Sequence, residues 1–303
     1  MLDESASGVF TIAATPFLPD GALDLRSIDT MVDFYAERGA SGLTILGMMG
    51  EAGKLSAAES EAVIAAVCTR ASLPVIVGVS APGLASIVAL GRTAMAKGAA
   101  GVMVAPPGTL RSDDQILQYF QSVEEVLGDI PWVLQDFPLA TGVQITAQVL
   151  RDIFDTCPGC KMLKHEDWPG LEKISALRRQ EADGARRMSI LCGNGGQFLL
   201  EEIGRGADGA MTGFAYPEMM RDITSLCASG EIDRARDLFD IYLPLIRYEC
   251  QPGLGLAVRK HILARNGAIA HATLRKPGPT LSVAAIAEIE ALIARQDARL
   301  AAL

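Results

Sequence analysis

Short apolar runs alternate with longer amphipathic segments along most of the chain. The apolar runs are four to seven residues long, and runs of this length bounded by turn residues are typical of buried strands. Between them, apolar residues recur every three or four positions, as in Ile28, Met31, Val32 and Tyr35. This periodicity predicts helices that pack through one face.

The pattern predicts eight strands and eight helices in strict alternation. The predicted strands are Val9–Thr15, Gly42–Gly47, Val75–Val79, Gly101–Ala105, Trp132–Asp136, Lys161–His165, Met188–Cys192 and Gly209–Thr212. The predicted helices are Leu25–Arg38, Ala57–Arg70, Leu84–Lys97, Asp113–Leu127, Ala147–Thr156, Leu171–Arg179, Gln197–Arg205 and Pro217–Ala228. Such alternation is typical of a parallel sheet with right-handed crossovers.

Eight strand–helix units favour an α/β fold closed as a (β/α)8 TIM barrel, with a doubly wound open sheet as the alternative. Three further helices without a strand follow, and they are predicted at Ile232–Glu249, Leu254–Asn266 and Val283–Leu300. We therefore expect a barrel over residues 1–230 and an appended C-terminal helical bundle over residues 231–303.

The net charge of the chain bears on which classes of molecule it can bind. The 303 residues carry a net charge of −9, and no basic run stands out, which argues against nucleic acid or an anionic membrane as a partner. No apolar stretch approaches the roughly 18 residues of a membrane span, and residues 1–8 lack the pattern of a secretory signal. These features favour a soluble, cytoplasmic protein that acts on a small molecule.

The six cysteines are expected to be reduced in a cytoplasmic protein of this size. Cys157-Pro-Gly-Cys160 has the spacing of a redox motif or half of a metal site. Because no second pair of ligands accompanies it, a plain turn is the better interpretation. We expect no metal site and no organic cofactor.

The candidate chemistry centres on Lys164 and Glu166. Side chains alternate faces along a strand, so these two share a face and His165 points the other way. The pair is either an ordinary ion pair or a nucleophile beside its acid/base partner. In a barrel, the active site lies where the strands end. Unusual loops follow strands two, five and seven at this same end, beginning at Gly47, Gln135 and Gly193, which favours a catalytic role.

Four motifs resemble those of the dihydrodipicolinate synthase/N-acetylneuraminate lyase family. Ala14-Thr-Pro-Phe17 ends the first strand, and Gly47-Met-Met-Gly-Glu51 resembles the family's Gly-Thr-Thr-Gly-Glu loop. Leu134-Gln-Asp-Phe-Pro138 resembles Leu-Tyr-Asn-Val-Pro, and Met162-Leu-Lys164 resembles Gly-Ile-Lys. The resemblance spans nearly the whole chain and implies that Lys164 forms a Schiff base. It also suggests a homo-oligomer, a tetramer or a dimer.

The departures from the family pattern concern proton transfer and substrate binding. The family's tyrosine falls on Gln135, and its paired threonines fall on Met48 and Met49. The arginine that holds a substrate carboxylate in the synthases falls on Ala140, and no tyrosine stands near residues 106–108 to serve a neighbouring subunit. The synthase proton relay is therefore missing, which argues against dihydrodipicolinate synthesis and, less directly, against sialic acid cleavage.

Glutamine in the tyrosine position together with Lys-x-Glu resembles the branch that dehydrates 2-keto-3-deoxy sugar acids, such as L-2-keto-3-deoxyarabonate. The resemblance implies that Lys164 forms an imine with the 2-oxo acid and that Glu166 removes a C3 proton. An amide does not titrate, so we expect Gln135 to orient water or a hydroxyl. The backbone N–H groups of Met48 and Met49 are expected to hold the substrate carboxylate.

The loop after the seventh strand, with Gly193 and Asn194, is a second candidate for substrate contact, although a turn that needs left-handed geometry at Asn194 explains it almost as well. Glu51 is expected to brace its loop rather than act as an acid. Either Glu166 is partly protonated in the free enzyme or it lies nearer the substrate than the amine.

Two other functions remain open at this stage. A retro-aldol lyase on the same scaffold would form the same imine and then break C3–C4 to release pyruvate. A non-catalytic binding protein would have kept the barrel and lost the chemistry.

Overall fold

The computed structural model describes residues 1–168 and 170–303 and shows a closed barrel of eight parallel strands in sequential order. The fold class predicted from the sequence is confirmed. The strands are β1 (Gly8–Ile12), β2 (Gly42–Ile45), β3 (Val75–Gly78), β4 (Gly101–Val104), β5 (Trp132–Asp136), β6 (Cys160–His165), β7 (Ser189–Cys192) and β8 (Gly209–Ala210). Most of them end one to three residues before the apolar run does.

Helices surround the barrel and form the C-terminal extension. They are α1 (Leu25–Glu37), α2 (Ala57–Arg70), α3 (Leu84–Ala96), α4 (Asp113–Leu127), α5 (Pro138–Thr141), α6 (Ala147–Thr156), α7 (Leu171–Ala182), α8 (Leu199–Gly204), α9 (Pro217–Ala228), α10 (Ile232–Glu249), α11 (Gly255–Arg265) and α12 (Val283–Leu300). All eleven predicted helices are present. The sequence pattern missed α5 and three single-turn 3₁₀ helices at Met48–Gly50, Ala52–Lys54 and Asn194–Gly196, because segments this short carry no periodicity.

The interior of the barrel is filled by apolar side chains, most of them from alternate strand positions, with Leu2 before β1 and Met211 just after β8. This cluster consists of Leu2, Phe10, Ile12, Ile76, Met103, Val133, Met162, Leu191 and Met211. The opposite strand faces pack against the surrounding helices, as Leu134 and Leu163 do. Since the interior is packed and not a pore, polar chemistry is confined to the end of the barrel where the strands stop.

The pairing of β5 with β6 sets the layout of that end. Gln135 lies opposite Lys164, and Asp136 lies opposite His165, after an irregularity between Trp132 and Val133. Residues at one level of a parallel sheet point to the same face, so Gln135 and Lys164 both point inward.

The C-terminal helices pack against the barrel through a shared apolar cluster. It joins Val9 of β1 and Ala210 of β8 to Leu245 of α10, Ile262 of α11 and Ile293 of α12. The cluster crosses the predicted boundary between residues 230 and 231. The division into two domains therefore stays a prediction.

A buried lysine of α11 ties the extension to the end of the barrel. Lys260 Nζ lies 2.6 Å from Glu51 Oε1 and donates to the carbonyl oxygens of Thr15 (2.7 Å) and Thr273 (2.8 Å). Glu51 also accepts from Lys54 Nζ at 2.8 Å. Burial lowers the pKa of Lys260, although Glu51 opposes the shift. The loops after β1 and β2 are thus held by one ammonium group.

Among the residues that the structure describes, no helix is both long enough and apolar enough to cross a membrane.

We predict that Lys260→Met will lower the free energy of unfolding by about 3 kcal/mol, because it leaves the buried Glu51 carboxylate with Lys54 alone among its charged partners. Urea denaturation followed by circular dichroism measures the change. Lys97→Met, which removes an exposed pair with Glu61, should cost less than about 1 kcal/mol. Equal losses in the two variants would show that the buried pair does not stabilise the loops.

Candidate active site

One carboxylate oxygen forms an ion pair and accepts a hydrogen bond where β5 and β6 end. Lys164 Nζ lies 2.9 Å from Glu166 Oε2, and Gln135 Nε2 donates to the same oxygen at 2.7 Å. Glu166 follows β6 directly, and its N–H donates to the carbonyl of Asp136 at 2.8 Å. The alternation argument therefore placed Lys164 and Glu166 on one face correctly.

These three side chains are nearly closed off from solvent. Lys164, Glu166 and Gln135 are all buried, and Met162, two residues before Lys164, belongs to the apolar interior cluster. Charges and hydrogen bonds act more strongly in such surroundings than in water. The carboxylate lies against the amine, within reach for proton exchange between the two groups.

Gly193, the first residue after β7, provides the space that Glu166 occupies. A Cβ atom at this position would overlap Glu166 Cγ and would stand 2.5 Å from Oε1 and 2.6 Å from Cδ. Its φ of −104° is not in the left-handed region, so steric space and not backbone conformation requires glycine. The structure thus indicates that Gly193 positions Glu166; its predicted contact with substrate stays a prediction.

The loop that begins at Gly193 is held by neighbouring elements. Asn194 has a φ of 50°, which is the left-handed geometry expected from the sequence. The N–H of Gly195 donates to Thr212 Oγ1 at 2.8 Å, and Cys250 Sγ lies 3.6 Å from the carbonyl oxygen of Asn194. Turn geometry accounts for Asn194, and its role in binding stays a prediction.

The two methionines of the loop after β2 differ in their surroundings. Met48 is 52% exposed, whereas Met49 is partly buried against the apolar interior cluster. Both begin a 3₁₀ turn, and the first N–H groups of a helix find no acceptor within it. Their backbone groups are therefore suited to an anion, as the sequence analysis proposed.

Glu51 braces this loop. Both of its oxygens are engaged, by Lys260 on one side and by Lys54 and the N–H of Arg275 on the other. Its φ of 54° places it in the left-handed region. The interpretation of Glu51 as a loop brace fits these contacts.

His165 and Asp136 face the helices, away from the three inward side chains. His165 is fully buried and its Nε2 lies 3.1 Å from the carbonyl oxygen of Gly170. Burial lowers the pKa of His165 to about 4, so the ring is neutral near pH 7. Asp136 accepts from Lys173 Nζ at 2.7 Å.

Three residues with roles at this end were missed by the sequence analysis. Thr212 supports the loop after β7 and Cys250 packs against it, while Lys173 lies behind β5 and β6. Thr212 ends a predicted strand, and that position is a signal that could have identified it. Nothing in the local sequence marks Cys250 or Lys173, since Cys250 meets Asn194 across 56 positions and Lys173 meets Asp136 across 37.

No group of three or more His, Cys, Asp or Glu side chains with the arrangement of a metal site occurs in residues 1–168 and 170–303. The cysteines of the Cys157–Cys160 turn are both free, and burial raises the pKa of the Cys157 thiol to about 11.

Comparison with known proteins places the similar proteins in one family, whose members are named for two different reactions. The model of the dihydrodipicolinate synthetase family matches residues 5–296. The L-2-keto-3-deoxyarabonate dehydratase of Azospirillum brasilense is 30% identical over 296 residues, which cover 96% of this chain and 94% of the relative. The 4-hydroxy-tetrahydrodipicolinate synthase of Sorangium cellulosum is 31% identical over 236 residues, covering 76% of each chain.

A crystal structure named dihydrodipicolinate synthase, from Rhodopseudomonas palustris, superposes with a TM-score of 0.96. It is 53% identical in sequence, and the match covers 97% of this chain and 99% of the other.

We predict that Gly193→Ala will displace the Glu166 carboxylate, because the added methyl group occupies its position. A crystal structure of the variant should show Glu166 Oε2 beyond the hydrogen-bond limit of about 3.5 Å from Lys164 Nζ. Gly204→Ala is the control, since a Cβ there meets nothing within 4 Å. An unchanged contact between Lys164 and Glu166 in Gly193→Ala would contradict the steric argument.

Proposed function

Because the chain belongs to the dihydrodipicolinate synthetase family, we propose that it is a lyase in which Lys164 forms an imine with a 2-oxo acid. We further propose that it dehydrates a 2-keto-3-deoxy sugar acid such as L-2-keto-3-deoxyarabonate to 2-oxoglutarate semialdehyde. The observation that carries this proposal is the shared Glu166 oxygen, which contacts the Lys164 amine and the Gln135 amide together.

The reaction begins at the amine. A lysine attacks a ketone as the neutral amine, and Glu166 at 2.9 Å is placed to accept the proton that Lys164 loses. The amine adds to C2, Glu166 gives its proton to the resulting C2 hydroxyl, which leaves as water, and the imine draws electrons from the C3–H bonds. The C3 protons become acidic as a result.

Glu166 then removes a C3 proton and leaves an enamine. The protonated carboxyl returns that proton to the C4 hydroxyl, which departs as water while a C3–C4 double bond forms. Tautomerisation moves hydrogen from C5 and its hydroxyl to C3 and C4, giving an aldehyde at C5. Water finally hydrolyses the imine, releasing the keto acid and the Lys164 amine. The net change is the loss of one water.

Gln135 supports this sequence by holding the carboxylate. Its amide cannot exchange protons in the way a tyrosine hydroxyl can, so Glu166 is left as the proton-transfer group beside the amine. The five tyrosines of the chain lie elsewhere: Tyr35 in α1, Tyr119 in α4, Tyr216 just before α9, and Tyr242 and Tyr248 in α10.

The dehydratase and synthase names among the relatives imply different reactions. The glutamine at position 135 favours dehydration, because the resemblance assigns a tyrosine to this position in the synthase relay. The proposed substrate carboxylate would lie on the N–H groups of Met48 and Met49, with Gly193 and Asn194 beside the sugar carbons.

We predict that borohydride with the keto acid will fix the mass of the bound acid onto Lys164, as read by peptide mass spectrometry. Glu166→Gln should keep this trapping, because the amine remains. It should lose C3 proton exchange by about 10²–10⁴-fold, since the base is gone. Exchange is measured by NMR in D₂O. Labelling at another residue, or no labelling, would contradict the imine, and undiminished exchange would remove Glu166 from the mechanism.

We predict that L-2-keto-3-deoxyarabonate will yield a product lighter by one water, without pyruvate. Mass spectrometry and a coupled pyruvate assay distinguish this outcome from retro-aldol cleavage, which would give pyruvate and a two-carbon aldehyde. Lys164→Met is the control and should make neither product. Pyruvate as the main product would replace dehydration by cleavage, and no reaction with imine trapping intact would call for a different sugar acid.

A further inference from the structure

A compact ion cluster lies on the outer face of β5 and β6, directly behind the proposed active site. Lys173 Nζ, from the first turn of α7, lies 2.7 Å from Asp136 Oδ2 and 2.8 Å from Asp167 Oδ2. The lysine side chain is only 10% exposed, and that of Asp136 is fully buried. One ammonium group thus joins carboxylates from the ends of two adjacent strands.

Both carboxylates belong to immediate neighbours of residues at the site. Asp136 follows Gln135, and Asp167 follows Glu166. Consecutive residues of an extended chain point to opposite faces, so Gln135 faces inward where Asp136 faces Lys173. The N–H of Glu166 also donates to the carbonyl of Asp136 at 2.8 Å. When Lys173 holds Asp136 and Asp167, it also holds the backbone that carries Gln135 and Glu166, whose side chains form the hydrogen bond at the site.

From this geometry we infer that Lys173 is a positioning residue: it holds the ends of β5 and β6 so that Glu166 stays in contact with Gln135 and Lys164. In the part of the chain that the structure describes, the hydrogen bond and ion pairs of Lys173 go to Asp136 and Asp167 and to none of these three side chains. The inference rests on the proposed function only for its effect on reaction rates. The positioning itself is measured by the distances from Glu166 to Gln135 and Lys164.

The alternative is that the cluster contributes to stability alone. An aliphatic side chain at position 173 could not pair with the two carboxylates. A buried carboxylate that loses its charged partner lowers the stability of the folded state. Loss of the ammonium would leave Asp136 and Asp167 to repel each other. Separation of the ends of β5 and β6 would reduce that repulsion. A purely stabilising pair would lower the unfolding midpoint without lengthening the bond between Gln135 and Glu166.

The cluster also gives the positioning a pH dependence. Burial, opposed by Lys173 and aided by the charges of Asp167 and Glu166, raises the pKa of Asp136 to about 6. The remaining facing group, His165, has its Nδ1 3.9 Å from Asp136 Oδ2 and is neutral here because burial lowers its pKa. Below about pH 6, Asp136 gains a proton and its hold on Lys173 weakens.

The test is Lys173→Met, with pyruvate as the probe for imine trapping and C3 proton exchange. We expect borohydride trapping at Lys164 within about twofold of the parent protein and C3 exchange lowered about 10- to 100-fold. Because Lys173→Met removes the group that Asp136 holds, the part of the acid limb of the exchange rate that comes from Asp136 should disappear in this variant. Asp136→Asn should abolish that limb.

Glu172→Gln is the matched control on the same helix, because it removes only an exposed pair with Arg205. It should leave exchange and its pH profile unchanged. If Lys173→Met does not fold, Asp167→Asn keeps the bond from Lys173 to Asp136 and should show a smaller loss of exchange in the same direction.

A crystal structure of the folded variant decides the positioning independently of the reaction. In Lys173→Met, or in Asp167→Asn to a smaller degree, the distance from Gln135 Nε2 to Glu166 Oε2 should lengthen from 2.7 Å. An unchanged distance would overturn the inference, whatever happens to the exchange rate. Failure of the parent protein to trap pyruvate would count against the proposed function, while a lengthened distance would still uphold the positioning role.

Discussion

The ion pair and the hydrogen bond that meet at Glu166 Oε2 depend on three neighbouring strands being in register. Gln135 comes from β5, Lys164 from β6, and the space for the carboxylate is left by Gly193 after β7. A shift of one residue in any of these strands would turn its side chain toward the helices, because faces alternate with a period of two. The closed barrel, with eight strands paired in order, prevents that shift.

Charges that are buried around this end each tie two separate elements together. Lys260 joins α11 to the loops after β1 and β2, Arg259 of the same helix holds Glu249 of α10 at 2.5 Å, and Lys173 joins α7 to the ends of β5 and β6. Buried ion pairs are often close to neutral for stability relative to apolar packing. Their common effect here is to fix the positions of loops and strand ends. The positions of the side chains at the site therefore depend on these ion pairs as well as on the apolar core.

Strand and helix order followed directly from hydrophobic periodicity, and so did the inward direction of Lys164 and Glu166, because both depend only on local repeats. The short 3₁₀ turn at Met48–Gly50 and the burial of Lys260 and Lys173 did not. The turn is too short to show a periodicity. The burial of the two lysines depends on contacts outside their own segments: Lys260 meets Glu51 across 209 positions and Lys173 meets Asp136 across 37. The steric need for Gly193 was likewise invisible, since it arises from a side chain on a neighbouring strand, whereas the left-handed turn at Asn194 could be read from its residue type.

The bond between Lys260 and Glu51 has a consequence for how substrate preference can change in such a barrel. The loop that carries Met48 and Met49 is held from α11, a helix with no part in the proposed chemistry. A substitution on α11, or in the segment near Arg275 that also contacts Glu51, would act on the backbone proposed to bind the substrate carboxylate without altering any residue of the proposed site. If the loop alone were transferred into a relative, its sequence would be kept but its conformation would not. Substrate preference would then be transferred only with the loop and the helix that anchors it together.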